Sequence, residues 1–229
     1  MTAHRNIRLL LADVDGTLVT SNKVLTEAAK AVAREVHDAG ISLAITSGRP
    51  PRGMSMLIKP LALQTAIAGF NGGIFVNPDL SVIESHVLDP ATARRTVQLM
   101  FEQGLDVWVY TEAEWRSQPY YLDVTHPQAN KGAVVATLSR LLNIPLAQIA
   151  TIGDMPSDVL MFHKSGFSIA MGNASDEVKA EASAVTDSNE NEGFAKAVRR
   201  FILASIPGQF SRHSGIGEDR QRSTGKTGS

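Results

Sequence analysis

Along this chain, short apolar runs ending in glycine-bearing polar turns alternate with segments whose apolar positions recur every three or four residues. Residues 7–12 are apolar except for Arg8 and run into Asp13-Val14-Asp15-Gly16-Thr17, the pattern of a buried parallel strand entering a loop. Over residues 26–39, Ala29, Val32 and Val36 share a helical face, with Thr26 as N-cap and Gly40 as stop. Residues 41–46 and 65–70 read as the next strands, ending in Ser47-Gly48-Arg49-Pro50 and Asn71-Gly72-Gly73. The same alternation resumes later with helices over 131–142, 158–164 and 176–182 and strands over 149–152 and 167–171. A short strand at 185–186 and a helix over 193–204 close it. Strands alternating with helices predict an α/β fold, a Rossmann-like parallel sheet core with helices on both faces.

In between, the pattern changes. Residues 81–87 read as a strand, 91–103 as a helix closed by Gly104, and 106–111 and 120–124 as two more strands, all between Pro78 and Pro127. This stretch is read as a small α/β cap inserted into the core. The expected organisation is a discontinuous core (1–77 and 127–206), a cap (78–126) and a tail (207–229). The tail is Gly, Ser, Arg and Lys with almost nothing to bury, so it is read as disordered. Its Ser223-Thr224-Gly225-Lys226-Thr227 lacks the earlier glycine and the flanking strand and helix of a phosphate loop.

Composition narrows the function classes. The 229 residues suffice for one full domain plus a small module, and 43% hydrophobic content can form a core without staples. There is no cysteine, which excludes disulfides and thiolate metal sites. A net charge of −1 gives no reason to expect nucleic acid or an anionic membrane as partner. Asp13 and Asp15 interrupt the N-terminal apolar run too early for a signal peptide, and no run is long enough to span a bilayer, so the reading is cytoplasmic.

In open parallel sheets, ligand sites form beyond the carboxyl ends of the strands. Asp13 and Asp15, Ser47, and Asp154 with Asp158 all fall at or just past such ends, and Lys131 starts a helix. A lone aspartate there is ordinarily a cap or turn residue. Several brought together repel, and they demand a cation or a proton. With oxygen donors alone on offer, a hard cation such as Mg²⁺ is the natural choice. Lys131 at a helix start opposes the helix dipole, a misfit that favours a functional role over a merely solvated one.

Asp13-Val14-Asp15-Gly16-Thr17, Ser47-Gly48-Arg49, Lys131, Gly153-Asp154 and Asp158, in that order, resemble the four-motif signature of the haloacid dehalogenase superfamily. Asn71-Gly72-Gly73 and Met171-Gly172-Asn173-Ala174 look like its Cof-type branch, whose members carry an α/β cap. The resemblance covers about residues 7–204. It implies a phosphatase in which Asp13 is the nucleophile that takes up the phosphoryl group and Asp15 is general acid and then base. Mg²⁺ would be held by the Asp13 carboxylate, the Asp15 carbonyl and Asp154. Ser47 and Lys131 would bind phosphate oxygens, with Asp158 orienting the metal site or Lys131 from behind. Thr46 competes with Ser47 for its role. Arg49 either touches substrate or pairs nearby, and Asn71 either shapes a turn or meets ligand.

Two departures stand out. Where the fourth motif usually carries Asn, this chain has Ser157, a hydroxyl without the amide's paired donors. Caps in this branch usually hold two β-α-β units, whereas here one is recognisable and the shortfall falls near Trp115 and Arg116. A half-cap exposes a sheet edge, and with Trp108, Tyr110, Trp115, Tyr120 and Tyr121 crowded there, a homodimer through the cap is expected. The leading expectation is Mg²⁺-dependent hydrolysis of a small phosphorylated metabolite, with sugar phosphates typical of the family. The alternative is a protein that binds a phosphometabolite with little turnover.

Overall fold

In the computed structural model of the chain, residues 6–105 and 124–205 are described. The tail and most of the cap's second half, including the strand expected at 106–111, all but Val124 of the one expected at 120–124, and all five crowded aromatics, lie outside the described residues. Eight strands form one sheet: β1 (Leu9–Asp13), β2 (Ser42–Thr46), β3 (Ile67–Gly69), β4 (Ile74–Val76), β5 (Val82–Ser85), β6 (Ile149–Gly153), β7 (Phe167–Ala170) and β8 (Ala184–Val185). Their spatial order is β5-β4-β3-β2-β1-β6-β7-β8. The centre is parallel, with β1 between β2 and β6.

The expected parallel α/β core is present, with one difference at its edge. β4 pairs antiparallel with β3, and β5 antiparallel with β4, so the strand expected to open the inserted unit instead extends the main sheet. The reason is local. Asn77-Pro78-Asp79-Leu80 makes a hairpin turn, with the Leu80 amide on the Asn77 carbonyl (2.8 Å) and the Asp79 carboxylate accepting from the Ser81 amide (2.9 Å).

The helices are α1 (Glu27–Asp38), α2 (Ser55–Ile58), α3 (Pro90–Glu102), α4 (Lys131–Leu142), α5 (Pro156–Phe162), α6 (Asp176–Ala180) and α7 (Gly193–Ala197), and all but α3 contribute to the cores on the two faces of the sheet. Thr26 caps α1 by accepting from the Ala29 amide, as its position predicted, and α4 spans the residues expected of it. α7 continues through a π-turn segment over Val198–Ile202. The helix of cap residues, α3, is capped by Asp89 and buries none of its side chains.

Strand alternation decides which way the site faces. In β1, Leu10 and Ala12 join the core under α1, with Val32 and Val36, while Leu9 and Leu11 join the core under α4, with Val134 and Leu138. By the same alternation Asp13 points to the α4 side. That is where α4 begins with Lys131.

Candidate active site

At the floor of the site, Lys131 donates to Asp13 Oδ1 (2.6 Å) and to Asp158 Oδ1, and all three side chains are at most 5% exposed. The other Asp158 oxygen accepts from the backbone amides of Asp154 (2.9 Å) and Met155 (2.8 Å). Asp158 therefore closes the first turn of α5 and anchors the lysine at once. Burial works against the Lys131 charge, yet Asp13 and Asp158 overcome it and hold the ammonium above its usual range.

The desolvation burden falls on the carboxylates instead. Burial pushes Asp13 up to about 7; Lys131 opposes this, while the nearby Asp158 and Asp154 add to it. Asp154 rises to about 6, again chiefly by burial and next by the Asp158 charge. One oxygen each from Asp13, Asp154 and Asp158 lie within 4.8 Å of one another. Crowded carboxylates held above their ordinary range are a poor solution for the protein alone and a good one for a divalent cation. Oxygen-only donors match a hard ion. Asp158 is the least available of the three, because it is fully buried and its oxygens already accept from the Lys131 ammonium and two backbone amides.

Asp154 is fixed by donors on both oxygens: Thr17 Oγ1 to Oδ1 (3.0 Å) and Asn173 Nδ2 to Oδ2 (3.1 Å). Asn173 also donates to the Gly16 carbonyl (3.0 Å), so it joins the turn after β1 to the end of β6. Gly16 is required at that junction. It sits at φ +83°, and a Cβ there would lie 2.3 Å from Asp154 Oδ2.

Asp15 lies closer to solvent than Asp13. Arg49 grips it in a two-pronged bond, Nε to Oδ2 (2.7 Å) and Nη2 to Oδ1 (2.6 Å), and Lys23 Nζ adds a third contact at 2.6 Å. Burial alone would raise its pKa, but the bonds from Arg49 and Lys23 outweigh that and hold it below the usual range. Ser47 Oγ approaches Asp15 Oδ2 at 3.5 Å and accepts from the Arg49 amide (3.1 Å). Thr46, its competitor, is fully buried in β2 beside Asp13, and its hydroxyl has no hydrogen-bond partner among the described residues.

Phe70 and Asn71 both have positive φ, 51° and 54°, an uncommon pairing for residues with side chains. Their amides donate to the Arg49 and Ser47 carbonyls (3.0 and 2.8 Å), which locks this turn onto the Ser47-Gly48-Arg49 loop. The Asn71 side chain lies against Gly48. Ser157 sits exposed in the first turn of α5.

The structure thus brings Asp13, Asp15, Ser47, Arg49, Lys131, Asp154 and Asp158 to one end of the sheet. Sequence reasoning missed three participants: Thr17, Asn173 and Lys23. The first two stand inside motifs quoted above without a role assigned to them. Lys23 lies in a polar turn with no periodicity, and nothing in the sequence alone pointed to its meeting Asp15.

Comparison with known proteins agrees with this geometry. The model of the haloacid dehalogenase-like hydrolase family matches residues 10–117 and 114–198. The chain belongs to that family. Among curated relatives, a 5-amino-6-(5-phospho-D-ribitylamino)uracil phosphatase of Bacillus subtilis is 24% identical over 86% of this chain and 97% of its own length. A phosphoglycolate phosphatase of Methanothrix thermoacetophila is 27% identical over 87% and 99%. The solved structure of BT1666 from Bacteroides thetaiotaomicron, a phosphatase of the superfamily, superposes with a TM-score of 0.76 at 22% identity, covering 87% of this chain and 96% of that one. The fold is shared. The enzyme class that these relatives carry is the HAD-type phosphatase. The alignment with the Bacillus relative runs to 241 positions, although 86% of 229 residues is only about 197. The relative therefore carries several tens of residues that this chain lacks. The two segments matched by the family model meet at residues 114–117, where the sequence placed the cap's shortfall.

Proposed function

We propose that the protein hydrolyses small phosphomonoesters with Asp13 as nucleophile and a divalent cation, Mg²⁺, as cofactor. The observation that carries this reading is the meeting of Asp13, Asp154 and Asp158 oxygens within 4.8 Å beside a buried lysine. Asp13, through the oxygen that Lys131 does not bind, forms a bond to phosphorus as the bond to the leaving oxygen breaks, giving an aspartyl-phosphate. Asp15 supplies the proton that the leaving oxygen needs, then takes one from the water that attacks the phosphorus and releases Asp13. Lys131 and Ser47 bind the non-bridging oxygens. Asp158 holds Lys131 in place from behind. Mg²⁺ held by the Asp13 and Asp154 carboxylates and the Asp15 carbonyl would offset the repulsion between the nucleophile and the phosphate dianion.

Nothing in the site favours the binding-only alternative, since the carboxylates that turnover needs stand together. Sugar phosphates, typical of the resemblance, and short phosphorylated acids are two substrate classes that a phosphate-release panel separates. Arg49, Asn71 and Ser157 are proposed as substrate contacts.

The test is direct. Wild-type protein should release phosphate from p-nitrophenyl phosphate with Mg²⁺ and cease in EDTA. Asp13→Asn should remove all but a trace while leaving the circular dichroism spectrum unchanged, because Asp158 still pairs with Lys131. Retention of substantial turnover by that variant rules Asp13 out as nucleophile.

A further inference from the structure

The charges along the site are ordered from floor to mouth. Lys131 and Asp13 are 4% and 5% exposed, Arg49 12%, Asp15 32% and Lys23 54%. In the phosphatase reading above, a phosphoryl group taken up by buried Asp13 would carry its ester oxygen on the more exposed Asp15 side, where Arg49 and Lys23 stand. Two cations thus converge on one carboxylate, that of Asp15.

Asp15 cannot serve both partners. To reach the leaving oxygen it must give up part of the grip in which Arg49 binds both its oxygens at 2.6 and 2.7 Å. Arg49 is mostly buried, and its other bond goes to a neutral carbonyl, that of Gly53 (3.2 Å). A buried guanidinium deprived of its carboxylate is strongly disfavoured unless another anion takes the place. A neutral sugar hydroxyl does not restore the charge pairing. A substrate carboxylate does, in the same planar two-pronged geometry that Asp15 shows now.

We propose, building on the phosphatase reading above, that the preferred substrates are short phosphomonoesters whose alcohol portion carries a carboxylate received by Arg49 and Lys23. Asp15 then acts as an internal stand-in for that carboxylate until substrate arrives. Binding exchanges one carboxylate for another at Arg49 and frees Asp15 to turn to the leaving oxygen. Lys23, on a solvent-exposed turn, supplies the second cation. The geometry favours a carboxylate only a few atoms from the ester oxygen, because Asp15 and the cations that hold it are in direct contact.

The test compares kcat/KM for 2-phosphoglycolate and 3-phosphoglycerate with that for ethyl phosphate and glycerol 1-phosphate, with Mg²⁺ present. The acids should lead their neutral counterparts by about tenfold or more, the scale of a charged hydrogen bond. Lys23→Gln and Arg49→Lys should each lower that ratio several-fold, mainly through KM for the acids. Lys23→Gln alters an exposed side chain and keeps its aliphatic stem, so misfolding does not confuse the result. A ratio near one in the wild type, or a ratio that neither variant moves, overturns the inference. A bisphosphate of similar length, such as 1,3-propanediol bisphosphate, outperforming both acids overturns the carboxylate assignment. Hydrolysis of p-nitrophenyl phosphate separates the two levels. If it proceeds while the ratio stays at one, only the substrate class falls. If no ester is hydrolysed, the phosphatase reading falls and this inference with it.

Discussion

Two adjacent hydroxyls, Thr46 and Ser47, compete on paper for one phosphate-binding role, and the structure treats them differently. Thr46 is sealed in β2 with a hydroxyl that finds no partner among the described residues, whereas Ser47 stands at the strand's end among Asp15 and the Arg49 amide. An orphaned buried hydroxyl costs stability. Thr46→Val, nearly the same shape, should therefore gain about 1 kcal/mol in urea unfolding and keep its kcat/KM. Ser47→Ala should leave stability nearly unchanged and lower kcat/KM by about tenfold or more. Loss of activity in a folded Thr46→Val would transfer the phosphate role to Thr46. At this scale the legible residues were those at strand ends: Asp13, Asp15, Ser47 and Asp154. Each ends an apolar run, and the end of a parallel strand is where a polar side chain can be both held and exposed to ligand. Arg49 was legible as present but not as Asp15's partner, and Lys23 not at all. Both pairings depend on how the loops after β1 and β2 fold toward each other, which no local pattern encodes.

Between elements, the site depends on how closely α4 approaches α5, since one carries Lys131 and the other Asp158. Gly132 sets that approach. A Cβ at this position would lie 2.9 Å from the Leu160 carbonyl and 3.2 Å from the Asn130 side-chain oxygen that caps α4. The Leu160 oxygen is backbone and gives little, so Gly132→Ala must push the helices apart. Alanine is the better helix former by about 1 kcal/mol, yet the overpacking should outweigh it and leave a net loss of about 1–2 kcal/mol in urea unfolding. Turnover should fall further than stability, because the Lys131–Asp158 contact opens with the helices. An unchanged unfolding midpoint would show that the two helices adjust freely. The extent of α4 was legible in the sequence, and the structure shows what bounds it: Asn130 caps its start and a left-handed Asn143 ends it. The closeness of α5 was not, since a glycine inside a helix reads as a weak position until its neighbour is known. The same limit explains β5. Its apolar residues marked a strand correctly, but only the turn at Asn77–Leu80 decides that it folds back onto β4 rather than opening a separate unit.

For the whole molecule, the acidic cluster couples folding to protons and to metal. Asp13 and Asp154 ionise near 7 and 6 in the folded chain, against an ordinary 3.8. A carboxylate whose pKa is raised by folding binds its proton more tightly in the native state than in the unfolded one. Its contribution is complete below pH 4 and is lost as the pH rises through the folded value. Without metal, stability should therefore fall between about pH 4 and 7, by roughly 1 kcal/mol per pH unit for each group titrating. This runs opposite to the usual acid denaturation of salt-bridged carboxylates, and opposite to Asp15, whose lowered pKa adds stability that is lost only in stronger acid. A divalent cation needs the same oxygens unprotonated, so protons and metal compete. The Tm gained on adding Mg²⁺ over EDTA should accordingly be larger at pH 7.5 than at pH 5.5, and Asp154→Asn should abolish most of that difference. An equal gain at both pH values would mean that the ion binds away from Asp13 and Asp154, and would detach the cluster from its proposed role.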